Sequence, residues 1–172
     1  MKKAMLLAVF AAAFSFTVSA AEWKIDGGFK QLTPEKLPAR WSKNAPTFKQ
    51  GSMAVVPGRN AKENAVKVES KGGWPILYSQ LLTPVKIGEK LEIEFYAKGK
   101  GNAYVGTYLY GKAWAGSAAT TIAVNSPDKF TRYKTTVTFK KVARPYTNAR
   151  AIFGLAGPGV ITFADLKMGI QK

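Results

Sequence analysis

The chain has 172 residues and carries 26 lysines and arginines against 10 acids, a formal charge of +16 at pH 7, with no histidine and no cysteine. The missing residue types exclude disulfides, thiolate metal sites, lipid attachment at a leader cysteine, and the Ser-His-Asp and Cys-His catalytic arrangements. A charge this positive either attracts polyanions or only keeps an exported protein soluble.

The sequence opens on Lys2 and Lys3, runs through an apolar stretch from Ala4 to about Phe16, and reaches Val18-Ser19-Ala20 before Ala21. That is the pattern of a cleavable signal peptide over residues 1–20. The apolar run is shorter than the roughly 20 residues a membrane helix needs, and no later stretch reaches that length. Cleavage leaves 21–172 as one expected domain, exported to the periplasm or beyond the cell, with 24 basic and 10 acidic side chains. Export turns the expected polyanion from nucleic acid to anionic glycans, envelope polymers or membrane surfaces, so nucleic acid would be held by charge alone.

Between Trp23 and Pro46 the chain is dense in Trp, Pro and Gly and lacks a sustained helical period. Short strands and turns are expected there, with Trp23 and Trp41 in structural positions. Ala65 to Glu69 alternates cleanly and makes a half-buried strand with Val66 and Val68 inward. Gly72 and Gly73 break it, and Trp74 to Leu82 gives the next strand, ending before Thr83-Pro84. Leu91 to Gly111 then reads as two strands joined by a Lys/Gly turn. Gly111 to Ser117 is an expected loop carrying Trp114, Ala119 to Val124 a short strand, and Asn125 to Asp128 a turn by composition. Thr131 to Lys141 alternates again, and Ala149 to Leu155 and Val160 to Met168 supply the last strands around Gly157-Pro158-Gly159. About eight to ten strands with no helix after the leader is the pattern of an antiparallel β-sandwich or barrel.

Side chains alternate across a strand, so Leu91, Ile93, Phe95 and Ala97 share one face, and Glu92, Glu94, Tyr96 and Lys98 the other. In the second half Ala103, Val105, Thr107 and Leu109 oppose Tyr104, Gly106, Tyr108 and Tyr110. The first set of each half is expected in the core, which leaves the tyrosines as a candidate ligand platform. Gly106 would leave room for a ligand between two of them.

Asp26-Gly27-Gly28-Phe29, an AVKVES strand from Ala65, Tyr78 to Leu82, the pair EIEFYAKGKG and YVGTYLYG, Phe130 to Tyr133 leading a T-x-V-x-F strand, and a closing GPGVITFADLKM follow one another. This order resembles a carbohydrate-binding module of the galactose-binding-like jelly-roll type over nearly the whole chain after the leader. The resemblance implies an all-β antiparallel β-sandwich. Members of the family often close on a strand with paired acids. Here Ala164 stands beside Asp165, a departure that weighs against a structural calcium ion, and no cofactor is expected.

Sugar recognition needs flat aromatic faces to stack on ring C–H surfaces, flanked by polar groups for the hydroxyls. The candidate ligand-binding residues are therefore Tyr104, Tyr108 and Tyr110, with Tyr96, Glu94 and Arg132 beside them and Trp74 and Trp114 at the rim. Arg132, with Lys98, Lys100, Lys112 and Lys134, would favour a carboxylated or sulfated glycan. The same tyrosines can instead pack under a loop with their hydroxyls reaching water, which makes the sandwich a structural or protein-interaction domain. A third reading is a small glycosidase or lyase using Glu94 and a tyrosine, since carboxylates are the main catalytic chemistry left. The aromatic face with polar groups beside it favours the non-catalytic glycan binder. Ligand identity and oligomeric state are not written in the sequence.

Overall fold

A computed structural model describes residues 21–60 and 62–171; the expected signal peptide lies outside the described residues. The strands are β1 (Ala21–Glu22), β2 (Trp41–Lys43), β3 (Gly51–Pro57), β4 (Asn64–Ser70), β5 (Ile76–Ser79), β6 (Thr83–Pro84), β7 (Lys90–Tyr110), β8 (Trp114–Thr138), β9 (Asn148–Leu155) and β10 (Gly159–Ile170). All pairings are antiparallel, and the fold is a β-sandwich of the jelly-roll type. A 3-10 turn at Ala45–Gln50 is the one helical element among the described residues. The strand Gly51–Pro57 escaped the sequence reading, because its exposed edge carries no strong alternation.

The largest departure concerns Leu91 to Gly111. No turn forms at Lys98–Gly101, and β7 continues through it as a single strand of 21 residues. Its first half pairs with β10 and its second half with β9, while β8 runs beside both. The strand therefore leaves one sheet and enters the other. Gly99 makes this possible, with φ +127 and a position where a Cβ would stand 2.1 Å from the carbonyl oxygen of Val160. The predicted turn at Asn125–Asp128 is likewise absorbed into a strand. Opposite Ala97 and Gly99, the register on β8 jumps from Thr131 to Ser126, so the intervening residues bulge out without reversing the chain.

Two sheets result. One contains β3, β4, β10, the first half of β7 and the second half of β8, with β1 on β10. The other contains β2, β5, β9, the second half of β7 and the first half of β8, with β6 on β9. Alternation supplies one buried face from each: Leu91, Ile93, Phe95, Val66, Val68, Ile161 and Phe163 from the first, and Ala103, Val105, Leu109, Phe153 and Leu155 from the second. Phe153 and Phe163 meet across the sandwich at 5.1 Å between ring centroids. Phe29 and Trp41 close on Phe153 at 5.5 and 4.8 Å, which puts the N-terminal segment into the core as a plug. Trp23 is buried as well. Phe29 holds a left-handed backbone with φ 50, a strain of order 1–3 kcal/mol. Complete burial of its ring offsets that cost by roughly 2–3 kcal/mol.

Candidate functional site

The second half of β7 turns Ala103, Val105, Thr107 and Leu109 inward, all fully buried, so Tyr104, Tyr108 and Tyr110 stand on the outer face, each half-buried. Antiparallel register carries that face across the sheet. Tyr108 lies opposite Arg150 on β9, Gly106 opposite Ile152, and Ile152 in turn opposite Tyr78 on β5. Directly opposed residues share a face, so Tyr78, Arg150 and Ile152 belong with the tyrosines of β7. Ile76 and Ile152 are buried yet lie apart from the main core cluster, and they form an apolar floor under this face.

Trp74 sits in the bend after Gly72-Gly73, 48% exposed, with its ring edge-on to Tyr104 at 4.9 Å. At the other end Trp114 opens β8 opposite Tyr110 and is 54% exposed. It begins a strand, since the expected loop shrinks to Gly111–Ala113. Asn44, Tyr78, Tyr108, Tyr110 and Trp114 line a cleft of about 350 Å³. Tyr78 and Tyr108 have centroids 6.4 Å apart, and the Asn44 side-chain amide donates to the Tyr108 hydroxyl at 2.9 Å. Tyr110 lies six positions beyond Tyr104, so the aromatic row extends roughly 20 Å along the strand.

Burial pushes the Tyr108 hydroxyl above its ordinary pKa, against a smaller opposing effect of the Asn44 hydrogen bond. Burial also raises Tyr110, with the charge of Arg150 pulling the other way. Both hydroxyls stay protonated at neutral pH and can donate and accept hydrogen bonds, but neither is activated as a base. Gly106 answers to the backbone and not to a ligand. With φ +152, a Cβ there would lie 2.3 Å from the Ala118 carbonyl oxygen, so β8 crosses too close for any side chain.

Glu94, Tyr96 and Arg132 lie elsewhere. They project from the first half of β7 and its partner segment of β8, in the other sheet, and so occupy the opposite outer face of the sandwich. The hairpin expectation put them beside the tyrosines, and the sheet change inside β7 separates them. Arg132 and Glu94 form an ion pair at 2.6 Å, and Lys134 holds Glu92 at 2.9 Å. The Arg132 hydrogen bond is the main reason Glu94 sits below its ordinary pKa, which makes it a poor general acid. The Arg59 guanidinium stacks 3.9 Å from the Tyr96 ring centroid and pairs with Asp165 at 2.5 Å.

That last pair bears on calcium. Asp165 is committed to a guanidinium, and the Asp26 carboxylate accepts the backbone N–H groups of Lys30 and Gln31 at 3.0 Å each. Among the described residues no three acidic, histidine or cysteine side chains converge as a metal would require. A calcium ion needs six to eight oxygen ligands, and the Asp26 and Asp165 carboxylates are already engaged in these contacts.

Asn44, Tyr78 and Arg150 were missed in the sequence. Tyr78 and Arg150 occupy outward positions of short strands, a signal visible by alternation, but only the pairing of β5, β9 and β7 brings them to Tyr108.

A scan against protein-family models finds no match, and neither does a search of curated proteins. Among solved structures, the chain matches a family 11 carbohydrate-binding module of Clostridium thermocellum, in complex with a β-1,3-1,4-mixed-linked tetrasaccharide, at TM-score 0.56 and 14% identity, over 87% of this chain and 96% of that one. It matches a cyclase from Fischerella at TM-score 0.57 and 17% identity, over 88% and 98%. An arabinose-bound α-L-arabinofuranosidase matches at TM-score 0.60 and 17% identity over 88% of this chain, which spans only 26% of that enzyme. Further carbohydrate-binding modules share the architecture. The chain has the jelly-roll fold of carbohydrate-binding modules.

Proposed function

We propose that the protein is an exported, non-catalytic carbohydrate-binding protein that stacks a glycan along the outer face bearing Tyr104, Tyr108 and Tyr110. One observation carries the reading: half-buried Tyr104, Tyr108 and Tyr110 lie along one outer face between exposed Trp74, against Tyr104, and exposed Trp114, which with Asn44, Tyr78, Tyr108 and Tyr110 lines a cleft. Aromatic faces take sugar C–H surfaces and exclude water, while Asn44 and the tyrosine hydroxyls satisfy sugar hydroxyls. The fold supports the reading, since a xylan-binding module and a module in complex with a mixed-linked tetrasaccharide share it.

An enzymatic role has less support. Both tyrosines are shifted away from base activity, Glu94 is ion-paired on the other face, and the tyrosine sheet supplies no carboxylate of its own. The test is a glycan array probed with the purified protein and with a Tyr104→Ala/Tyr108→Ala variant of unchanged circular dichroism. Binding of a defined glycan class that disappears in the variant is expected. If the wild-type protein binds nothing on the array, the surface serves another protein and the platform reading falls.

A further inference from the structure

The strands that build the tyrosine face contain no acid at all. Trp41–Lys43, Ile76–Ser79, Asn148–Leu155, the second half of β7 after Gly101 and the first half of β8 up to Ser126 lack any Asp or Glu. In their midst stands Arg150. Its guanidinium carbon lies 5.6 Å from the Tyr78 ring centroid and 5.3 Å from that of Tyr110, within cation–π reach of both. Its Nε is buried and has no hydrogen-bond partner. Among the described residues no carboxylate pairs with it, although Arg59, Arg132, Lys67 and Lys134 all have acidic partners.

The buried Nε is out of a ligand's reach, but among the described residues no hydrogen bond or ion pair holds the guanidinium, so its outer nitrogens are left to meet a partner. What sets Arg150 apart is its place, half-buried between two aromatic rings with no counter-charge beside it. Flanking rings hold the guanidinium fork in a restricted orientation, and that fork matches a planar carboxylate in two parallel hydrogen bonds. The far end of the same cleft is also basic. Arg144 donates to the Trp114 carbonyl oxygen at 3.4 Å, which puts its guanidinium beside that tryptophan.

We infer that the ligand of the tyrosine face is an acidic polysaccharide whose sugar carboxylate is read by Arg150, a uronic-acid polymer in chemical class. The inference rests on the glycan-platform reading and narrows it. Arg150 acts as the residue that selects acidic over neutral sugars, while the tyrosines supply affinity common to both. The basic end beside Trp114 adds long-range attraction that salt screens, whereas the half-buried Arg150 contact resists screening.

Calorimetric titration of the purified protein with a polyuronate, with the same polymer after carboxyl reduction, and with a sulfated polysaccharide tests this at physiological and at high salt. The polyuronate should bind about tenfold or more tighter than its reduced form at both salts. At high salt, where the long-range attraction is screened, that preference should vanish in Arg150→Gln, and Arg150→Lys should restore only part of it. A preference that survives Arg150→Gln at high salt, or that high salt abolishes in the wild-type protein, overturns the assignment to Arg150. Tighter binding of the sulfated polymer overturns the carboxylate. Equal binding of acidic and reduced polymers sinks this inference and leaves the platform intact, whereas no binding of any of the three sinks the platform itself.

Discussion

The two outer faces of this sandwich are built from the same long strands, β7 and β8, and yet they carry opposite chemistry. On one, acids and bases alternate across neighbouring strands: Glu92 meets Lys134 and Glu94 meets Arg132. Lys67 and Glu69 pair on β4. On the other, every acid is gone, four tyrosines and two tryptophans cover the surface, and the central cation is unpaired. A face whose charges satisfy one another has little left to offer a ligand. One whose polar groups wait beside exposed rings is arranged for a partner. Position in the strand does not distinguish the two, since the outward residues of β7 are the even-numbered ones in both halves. The distinction comes from which strand lies alongside, β10 or β9.

The comparison can be broken most severely at Gly106. Replacing it with valine drives a side chain into the Ala118 backbone, and a loss of stability of about 3 kcal/mol or more is expected. Chemical denaturation would measure it, and a neutral substitution would mean that β8 can move away. Next in size, single Tyr108→Ala and Tyr104→Ala changes should each weaken glycan binding by about tenfold, the loss of one desolvated aromatic contact. Unchanged affinity in calorimetry would show that the ligand sits elsewhere.

The charged face provides the contrast. Glu94→Gln combined with Arg132→Gln should leave glycan affinity unaltered and move the melting temperature by no more than about 2 °C, because exposed ion pairs add little. Any drop in binding would join the two faces functionally. Smallest of all is a pH effect. Glu94 titrates below its ordinary value near 4.5 in the folded protein, so the stability it adds is complete above that pH and fades as pH falls through its lowered folded value. Acid melting curves of wild type and Glu94→Gln should therefore coincide at low pH and separate slightly above about pH 5.

Much of the fold was legible. Val66, Val68, Leu91, Ile93, Phe95, Val105 and Leu109 alternate with polar partners, and all are buried as that period predicts. The tyrosines of β7 could be put on an outward face by the same rule. Illegible was the grouping of Glu94, Tyr96 and Arg132 against those tyrosines. A Lys/Gly run reads as a turn by composition, and only the close approach of Val160 to Gly99 shows that it is the point where one strand changes sheets. Asn44 reaches Tyr108 from 64 residues away in sequence, a distance over which no local pattern operates.

The sequence by itself determined the alternation, hence which side chains face the core and which face outward, because a strand's period of two is set by local backbone geometry. It also determined the absence of histidine, cysteine and any acid from the tyrosine strands. Only the tertiary structure decided which outward residues become neighbours. That depends on the pairing of β5, β9, β7 and β8, a non-local hydrogen-bond register that brings Tyr78, Tyr108, Tyr110 and Arg150 to one place and sends Glu94 to the far side.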